Sequence, residues 1–355
     1  MKEGWEYRIF ESCLVKVPKQ VQVKSKDYKK EGKYPIVSQE AELISGYWDD
    51  ETIVYKHKDP VVIFGDHTKN IKYIDFNFVV GADGTHILST KKDISPKFFY
   101  YVLKSIKLRE LGYARHYKLL KEKYIPVPPL SEQQSIVSRL DAAFAKIDAM
   151  KVNAEKRLNE AKSLFQASLK KMLEPKEGWE EKLLPEISEN LDSIRKPVTK
   201  GKRTAGIYPY YGASGIVDYV DDYLFDEDLL CISEDGANLL MRTYPIAFPI
   251  SGKVWVNNHA HVLRFKSIVT QKYVEYCFSG MKLDEYITGA AQPKLTQKAL
   301  NSIIINLPST LDEQQSIVAT LDSIKSKVDR LQANYEKISL ECDALKQTIL
   351  RQVFE

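Results

Sequence analysis

Cysteine is scarce in this chain, and its four copies, Cys13, Cys231, Cys277 and Cys342, stand far apart with no CxxC pair. That spacing argues against a zinc knuckle and for reduced thiols in a reducing compartment. No apolar run is long enough to cross a bilayer, and no secretory leader or lipidation motif is present, so the expected location is the cytoplasm, with no membrane partner. Catalytic signatures are missing too: there is no Walker phosphate loop, no GxSxG elbow and no HExxH zinc helix. The single Pro-Pro pair, Pro128-Pro129, lies between Val127 and Leu130, which excludes the Asn/Asp-Pro-Pro-Tyr/Phe loop typical of amino-methyltransferases. No Pro-Asp dipeptide exists to open the common nuclease pattern, and the six histidines are dispersed. Absent motifs weigh against catalysis without excluding it, because triads assemble from distant positions. No catalytic residue and no metal ligand is assigned.

Glycine and proline are missing from two long stretches, Ser131 to Glu174 and Ser309 to Glu355, so nothing in either need stop a helix. Each carries the same six residues near its start: Glu132-Gln133-Gln134-Ser135-Ile136-Val137 returns as Glu313-Gln314-Gln315-Ser316-Ile317-Val318. Ser131 with Gln134, and Asp312 with Gln315, have the spacing of a capping box. The second stretch sets apolar residues at alternating steps of four and three from Ile317 and Leu321 to Leu345 and Ile349, an a/d heptad seam. Its counterpart in the first is Ile136, Leu140, Ala143, Ile147, Met150, Ala154, Arg157, Ala161, Leu164 and Ser168, smaller and less regular. Neither helix can hide such a stripe alone, and the simplest partner for each is the other. At 1.5 Å per residue, about 43 residues reach about 65 Å, longer than a compact domain and suited to a spacer.

The repeat extends beyond the helices. Lys2-Glu3-Gly4-Trp5-Glu6 recurs as Lys176-Glu177-Gly178-Trp179-Glu180, Tyr34-Pro35 as Tyr208-Pro209, and His86-Ile87-Leu88 as His261-Val262-Leu263. Gly112 to Leu119 parallels Gly289 to Leu295 with one residue missing. The chain therefore reads as two copies of one unit: a module over 1–130 with a long helix over 131–174, then a module over 175–309 with a long helix over 310–355. Length suits about two domains, and 44% apolar with 28% charged residues is ordinary for a protein able to bury a core. Within each module, runs such as Pro60 to Phe64 before Gly65-Asp66, Phe76 to Val80 before Gly81, and Leu229 to Ile232 before Ser233-Glu234 read as strands closed by turns. Ser95 and Thr270 are expected to cap one short helix each. The fold class is α+β: two similar modules, each a mostly antiparallel curved β-sheet with a few helices, and two long helices pairing as an antiparallel coiled coil.

Net charge of +4 permits an acidic partner without demanding one. The positive side chains cluster, however. Lys24 and Lys26 stand among the lysines leading to Tyr34-Pro35, and Arg195, Lys196, Lys202 and Arg203 crowd the matching approach to Tyr208-Pro209. One such run reads most simply as a solvated loop; runs at matching places in two copies weigh equally toward phosphate neutralisation. Base readout needs mixed or forked donors near that track, because phosphate contacts carry no sequence information. The candidates are Asp66-His67-Thr68-Lys69 and Arg115-His116-Tyr117-Lys118 in the first module, with Glu234, Asn238, Gln292 and Lys294 in the second. Singly, each is more simply a turn cap, a satisfied polar group or a core tyrosine; only the set points to recognition.

The Gly-Trp opening each half, the Tyr-Pro before a polar run, the segment Gly289 to Leu295 and the Pro-rich lead into Glu-Gln-Gln-Ser-Ile-Val closely resemble the specificity subunits of type I restriction-modification enzymes, over essentially the whole chain. The doubled order of module and helix is the specific element, and any one short motif is weak. Arg115-His116-Tyr117-Lys118 stands where the second half has Gln292-Pro293-Lys294, so the modules should not share a recognition rule. The resemblance implies a non-catalytic DNA reader. Each module would be a target-recognition domain for one half of a bipartite asymmetric site in double-stranded DNA, with the helices setting the spacer and docking two modification (methyltransferase) subunits. Those subunits would bring S-adenosylmethionine and methylate adenine, and restriction (translocase/nuclease) subunits would add ATP- and Mg-dependent translocation and cleavage. This chain would carry no cofactor. Two other readings stand beside it: the recognition subunit of a related type II-like restriction-methylation enzyme, and a two-module coiled-coil protein-binding scaffold without DNA specificity.

Overall fold

The computed structural model describes residues 4–110, 112, 114–289 and 292–355. Lys2 and Glu3 of the first repeated motif, and Tyr113, Ala290 and Ala291 of the two matching loops, lie outside the described residues. The chain divides into two compact units: residues up to 155 together with 335–355, and residues 156–334.

In the first unit, β1 (Val61–Gly65) and β2 (Thr85–Thr90) form the middle of an antiparallel sheet in the order Leu14–Val15, β2, β1, Ile71–Ile74. Every residue of β1 is buried, which explains its continuous rather than alternating apolar run. It ends at Gly65, where there is no room for a side chain: a Cβ there would lie 2.3 Å from the Thr68 hydroxyl. A second sheet joins Gln22–Val23, Phe78–Gly81, Tyr34–Val37 and Gly46–Trp48, with two of its pairings parallel. Parallel neighbours need long crossovers, and the chain supplies one between Val37 and Phe78. Helix α1 (Pro96–Ser105) is capped by Ser95, as expected, and packs Phe98, Phe99 and Val102 with Phe10, Phe64 and Leu88.

The second unit repeats the plan. β3 (Leu229–Ser233) and β4 (Ala260–Phe265) occupy the middle of the order Ser188–Asn190, β4, β3, Ala247–Ile250. A companion sheet pairs Ala205–Gly212 antiparallel with Gly215–Val220 and parallel with Lys253–Val256. Its helix α3 (Ile268–Gly280) is capped not by Thr270 but by Ser267, whose hydroxyl accepts from the Val269 amide. Thr270 sits in the first turn and donates instead to Gln314 Oε1 at 2.8 Å. In both units the opening strand pairs with the strand before the long helix, Glu6–Ile9 with Tyr124–Val127 and Glu180–Leu183 with Ile304–Leu307.

The long helices are α2 (Leu130–Met172) and α4 (Leu311–Phe354). Their shared hexapeptide divides by role. The carboxylates of Glu132 and Glu313 accept from the indoles of Trp5 and Trp179, at 2.9 and 3.1 Å. Gln133 and Gln314 are buried: the first bonds the Ser95 amide and the Asp93 and Pro128 carbonyls, the second Thr270 and the Pro308 carbonyl. The expected capping boxes do not form at Ser131 and Asp312, because both helices begin before those residues; Thr310 Oγ1 takes the Glu313 amide at 3.2 Å.

Within the first unit the end of α4 runs antiparallel to the start of α2: Lys346 pairs with Asp148, Lys151 with Asp343, and Leu350 joins Ile136 and Leu140 in one core. Within the second, Leu169 near the end of α2 packs in one core with Ile317 and Leu321 at the start of α4. The expected seam of α2 holds through Ile136, Leu140 and Ile147 and then slips by one residue. Met150 and Leu164 are 58% and 62% exposed, whereas Leu158 and Leu169 are buried. A straight helix drifts against a strict heptad by about 20° per repeat, and the bulkier Leu158 and Leu169 follow that drift where Arg157 and Ser168 do not.

Candidate nucleic-acid interface

Each central strand ends in an acid, and each acid receives the loop that precedes the closing strand of its module. In the first unit, Asp66 follows β1. Its amide donates to the Gly84 carbonyl at 2.8 Å, its carbonyl accepts the His116 amide at 2.8 Å, and Oδ1 accepts the Tyr117 amide at 2.8 Å. His86 Nε2 lies 3.2 Å from Oδ2, and the Arg115 guanidinium approaches the same oxygen at 3.9 Å. Burial alone would raise the Asp66 carboxyl, but the Tyr117 amide and the His86 ring outweigh it and hold the group below the usual carboxylate range. The His86 and Tyr117 rings stack with centroids 4.0 Å apart.

In the second unit Glu234 takes that place. Its amide donates to the His259 carbonyl at 2.9 Å and its carbonyl accepts the Leu295 amide at 2.7 Å. Strand register makes the match firm, since Phe64 lies across from His86 as Ile232 lies across from His261. The alignment by letters set Lys118-Leu119 against Lys294-Leu295; the hydrogen bonds instead set His116 against Leu295 and therefore Arg115 against Lys294. Lys294 Nζ sits 3.0 Å from Glu234 Oε1, and Arg195 holds Oε2 at 2.7 Å. Burial would raise Glu234, yet hydrogen bonds from Arg195 and Lys294 keep it lowered. Asp192 is likewise lowered against its burial, chiefly by the His261 ring.

The ligand atoms of Asp192, Glu234 and His261 lie within 4.8 Å of one another. A cation does not fit there. His261 Nδ1 faces Asp192 at 2.6 Å and Nε2 faces the Leu295 carbonyl at 2.8 Å, so both ring nitrogens are already engaged by protein partners. Arg195 and Lys294 already supply the positive charge, which makes this a closed ionic network.

The structure brings some candidates together and separates others. His67, Thr68 and Lys69 form the turn after Asp66, stitched to Gln39 through the His67 amide and the Thr68 hydroxyl; Lys69 pairs with Glu110. Arg115, His116 and Tyr117 meet that turn at Asp66, and Lys118 is exposed on the following helical turn. Lys24 and Lys26 are exposed about the short turn Ser25–Asp27, outside that group. In the second unit Arg195 lies inside the network rather than at the surface. Lys196 and Lys202 are exposed, while Arg203 bonds Asp218 at 2.9 Å and lies over the Tyr210 ring at 4.2 Å. Asn238 closes its own loop by bonding the Tyr244 backbone in both directions, and Gln292 is exposed. The residues that sequence reasoning passed over are His86, His261 and Asp192. The repeat had matched the two histidines, and that match was the available signal.

The same doubling appears when the chain is compared with known proteins. The profile of the type I restriction modification DNA specificity domain matches residues 3–160 and again 176–340. The chain belongs to this family. Among relatives of the specificity-domain family, a putative type I restriction enzyme specificity subunit, S.HindORF215P of Haemophilus influenzae, is 36% identical over 157 residues, 44% of this chain and 40% of that protein. The EcoR124I/EcoR124II specificity subunit of Escherichia coli is 25% identical over 340 residues, 86% of this chain and 82% of its own length. In fold, the chain resembles one from a type I R-M system solved for complex assembly and conformational transition (TM-score 0.72, 17% identity, 100% of this chain and 98% of that one). It also resembles the HsdS subunit of Thermoanaerobacter tengcongensis (TM-score 0.53, 18% identity, 100% and 97%). No helix among the described residues is long and apolar enough to cross a membrane.

Proposed function

We propose that this specificity-family chain is the DNA-reading subunit of a type I restriction-modification complex, each module reading one half of a bipartite asymmetric site. The observation that carries this reading is the matched pair of strand-end loops. Two modules of one plan present different side chains, Arg115 and Lys294, at one equivalent place. A framework held constant while its exposed groups differ is what two independent half-site readers require. Exposed cations such as Lys24, Lys26, Lys196 and Lys202 supply the sequence-independent attraction to phosphate. The long helices set the unread spacer and dock two modification subunits; S-adenosylmethionine, ATP and Mg act in those subunits and in restriction subunits, in the cytoplasm. Arg195 contributes by closing the second module's network, not by meeting phosphate.

The test is methylated-base sequencing of cells that express this chain with its modification subunit. Exchanging residues 1–130 for another module of the family should change one half of the methylated site and leave the other intact. A change in both halves would sink the independent-reader reading.

A further inference from the structure

Resting on that DNA-reading role, we infer that Arg115 reads a guanine in the first half-site and that Asp66 is its positioning residue. An acid in a DNA-facing loop opposes binding to phosphate, so its presence at the same place in both modules calls for another purpose. Asp66 is fixed before any ligand arrives. Oδ1 takes the Tyr117 amide, Oδ2 faces His86, and the Asp66 carbonyl takes the His116 amide, so the backbone immediately after Arg115 is pinned to the strand end. The carboxylate is 5% exposed and the Arg115 side chain 73% exposed, so the cation projects outward from a buried anchor.

The contact with Asp66 is made through Arg115 Nε, which leaves the Nη pair as a fork of donors that meets no acceptor among the described residues. Local charge separates base reading from phosphate binding. Arg115 and Lys69 carry two positive charges while Asp66 and Glu110 carry two negative ones, so the two ion pairs are formally neutral. A neutral cluster adds little attraction for the backbone, but its fork keeps direction, and the paired O6 and N7 acceptors of guanine in the major groove match it. In the second module the equivalent cation is Lys294, a point charge without a fork, so the forked contact belongs to the first module alone.

The full chain, assembled with its modification subunits, is given a random-sequence duplex library to define the site, then duplexes carrying 7-deazaguanine at each guanine of the first half-site. The wild type should lose affinity at one such position, by less than the about 5- to 150-fold that a whole two-donor base contact is worth, because O6 remains when N7 is removed. Arg115→Lys should reduce that penalty while keeping the salt slope. Asp66→Asn should reduce the penalty, and adding it to Arg115→Lys should change nothing further. The first half-site lacking guanine, or Arg115→Ala weakening all sequences alike and flattening the salt slope by about one unit, would overturn the assignment in favour of a phosphate contact. An unchanged penalty in Asp66→Asn would remove the positioning role, and because Arg115 is exposed its own variants decide the base contact even if Asp66→Asn folds poorly. Selection of no sequence by the wild type at any salt would overturn the DNA-reading role itself, and this inference with it.

Discussion

Arg195 shows how far a single residue can be read from sequence. Its neighbours Lys196, Lys200 and Lys202 made it one cation among several on an exposed approach, whereas the fold turns its guanidinium onto Asp192, Glu234 and the Ala260 carbonyl. Only Asp192 is a local partner, three residues before Arg195; Glu234 and Ala260 come from distant segments that the sheet brings together. Removing Arg195 leaves two buried carboxylates short of compensation. Arg195→Ala should therefore destabilise the second unit by about 3–5 kcal/mol, read as a lowered urea midpoint. Protonation gives a second reading. Both carboxyls are lowered in the folded chain, so their stabilisation is present above their unfolded values near about pH 4 and is lost as pH falls through the lowered folded values. Urea melts from pH 6 down to pH 3 should show a steep loss that Arg195→Ala flattens; parallel curves would place the charge coupling elsewhere.

At the scale of elements, helix existence and the strands before the glycine turns were legible, since missing Gly and Pro and runs such as Val61 to Phe64 report local preference directly. Apart from the Ser95 cap, helix starts and the later seam were not. Caps depend on where the preceding strand delivers the chain, and the first seam depends on bulk: Leu158 and Leu169 outcompete a strict heptad count. The two versions of the seam differ in a measurable way. Leu158→Ala should cost about 2–5 kcal/mol as a buried leucine, while Leu164→Ala, at 62% exposure, should stay within about 0.5 kcal/mol of wild type. Reversed values in thermal or urea unfolding would restore the even heptad. The candidate loops were marked out by their polar and basic residues at matching places in the repeat, but the pairing of Arg115 with Lys294 needed the backbone hydrogen bonds, because the two loops differ in length.

For the whole molecule, the doubled sequence implied that the last helix returns to the first module, and the first unit contains that return. Trp5 and Phe354 both pack against the ring of Phe98, at 6.5 and 5.6 Å. Joining the chain ends with a short linker and reopening near Pro175 should therefore give a folded protein with unchanged far-ultraviolet circular dichroism and intact DNA selectivity. Insoluble product across several linker lengths would contradict the arrangement. The same contact sets a timetable for synthesis. Residues 335–355, which complete the first unit's core, leave the ribosome long after Phe98, Ile136 and Leu140. At about 5–20 residues per second, the interval between residues 155 and 355 lasts about 10–40 s. Throughout that wait the side of the first unit's core that Leu350 and Phe354 go on to cover stays open, so a surface buried in the finished protein faces water while the second unit is being made.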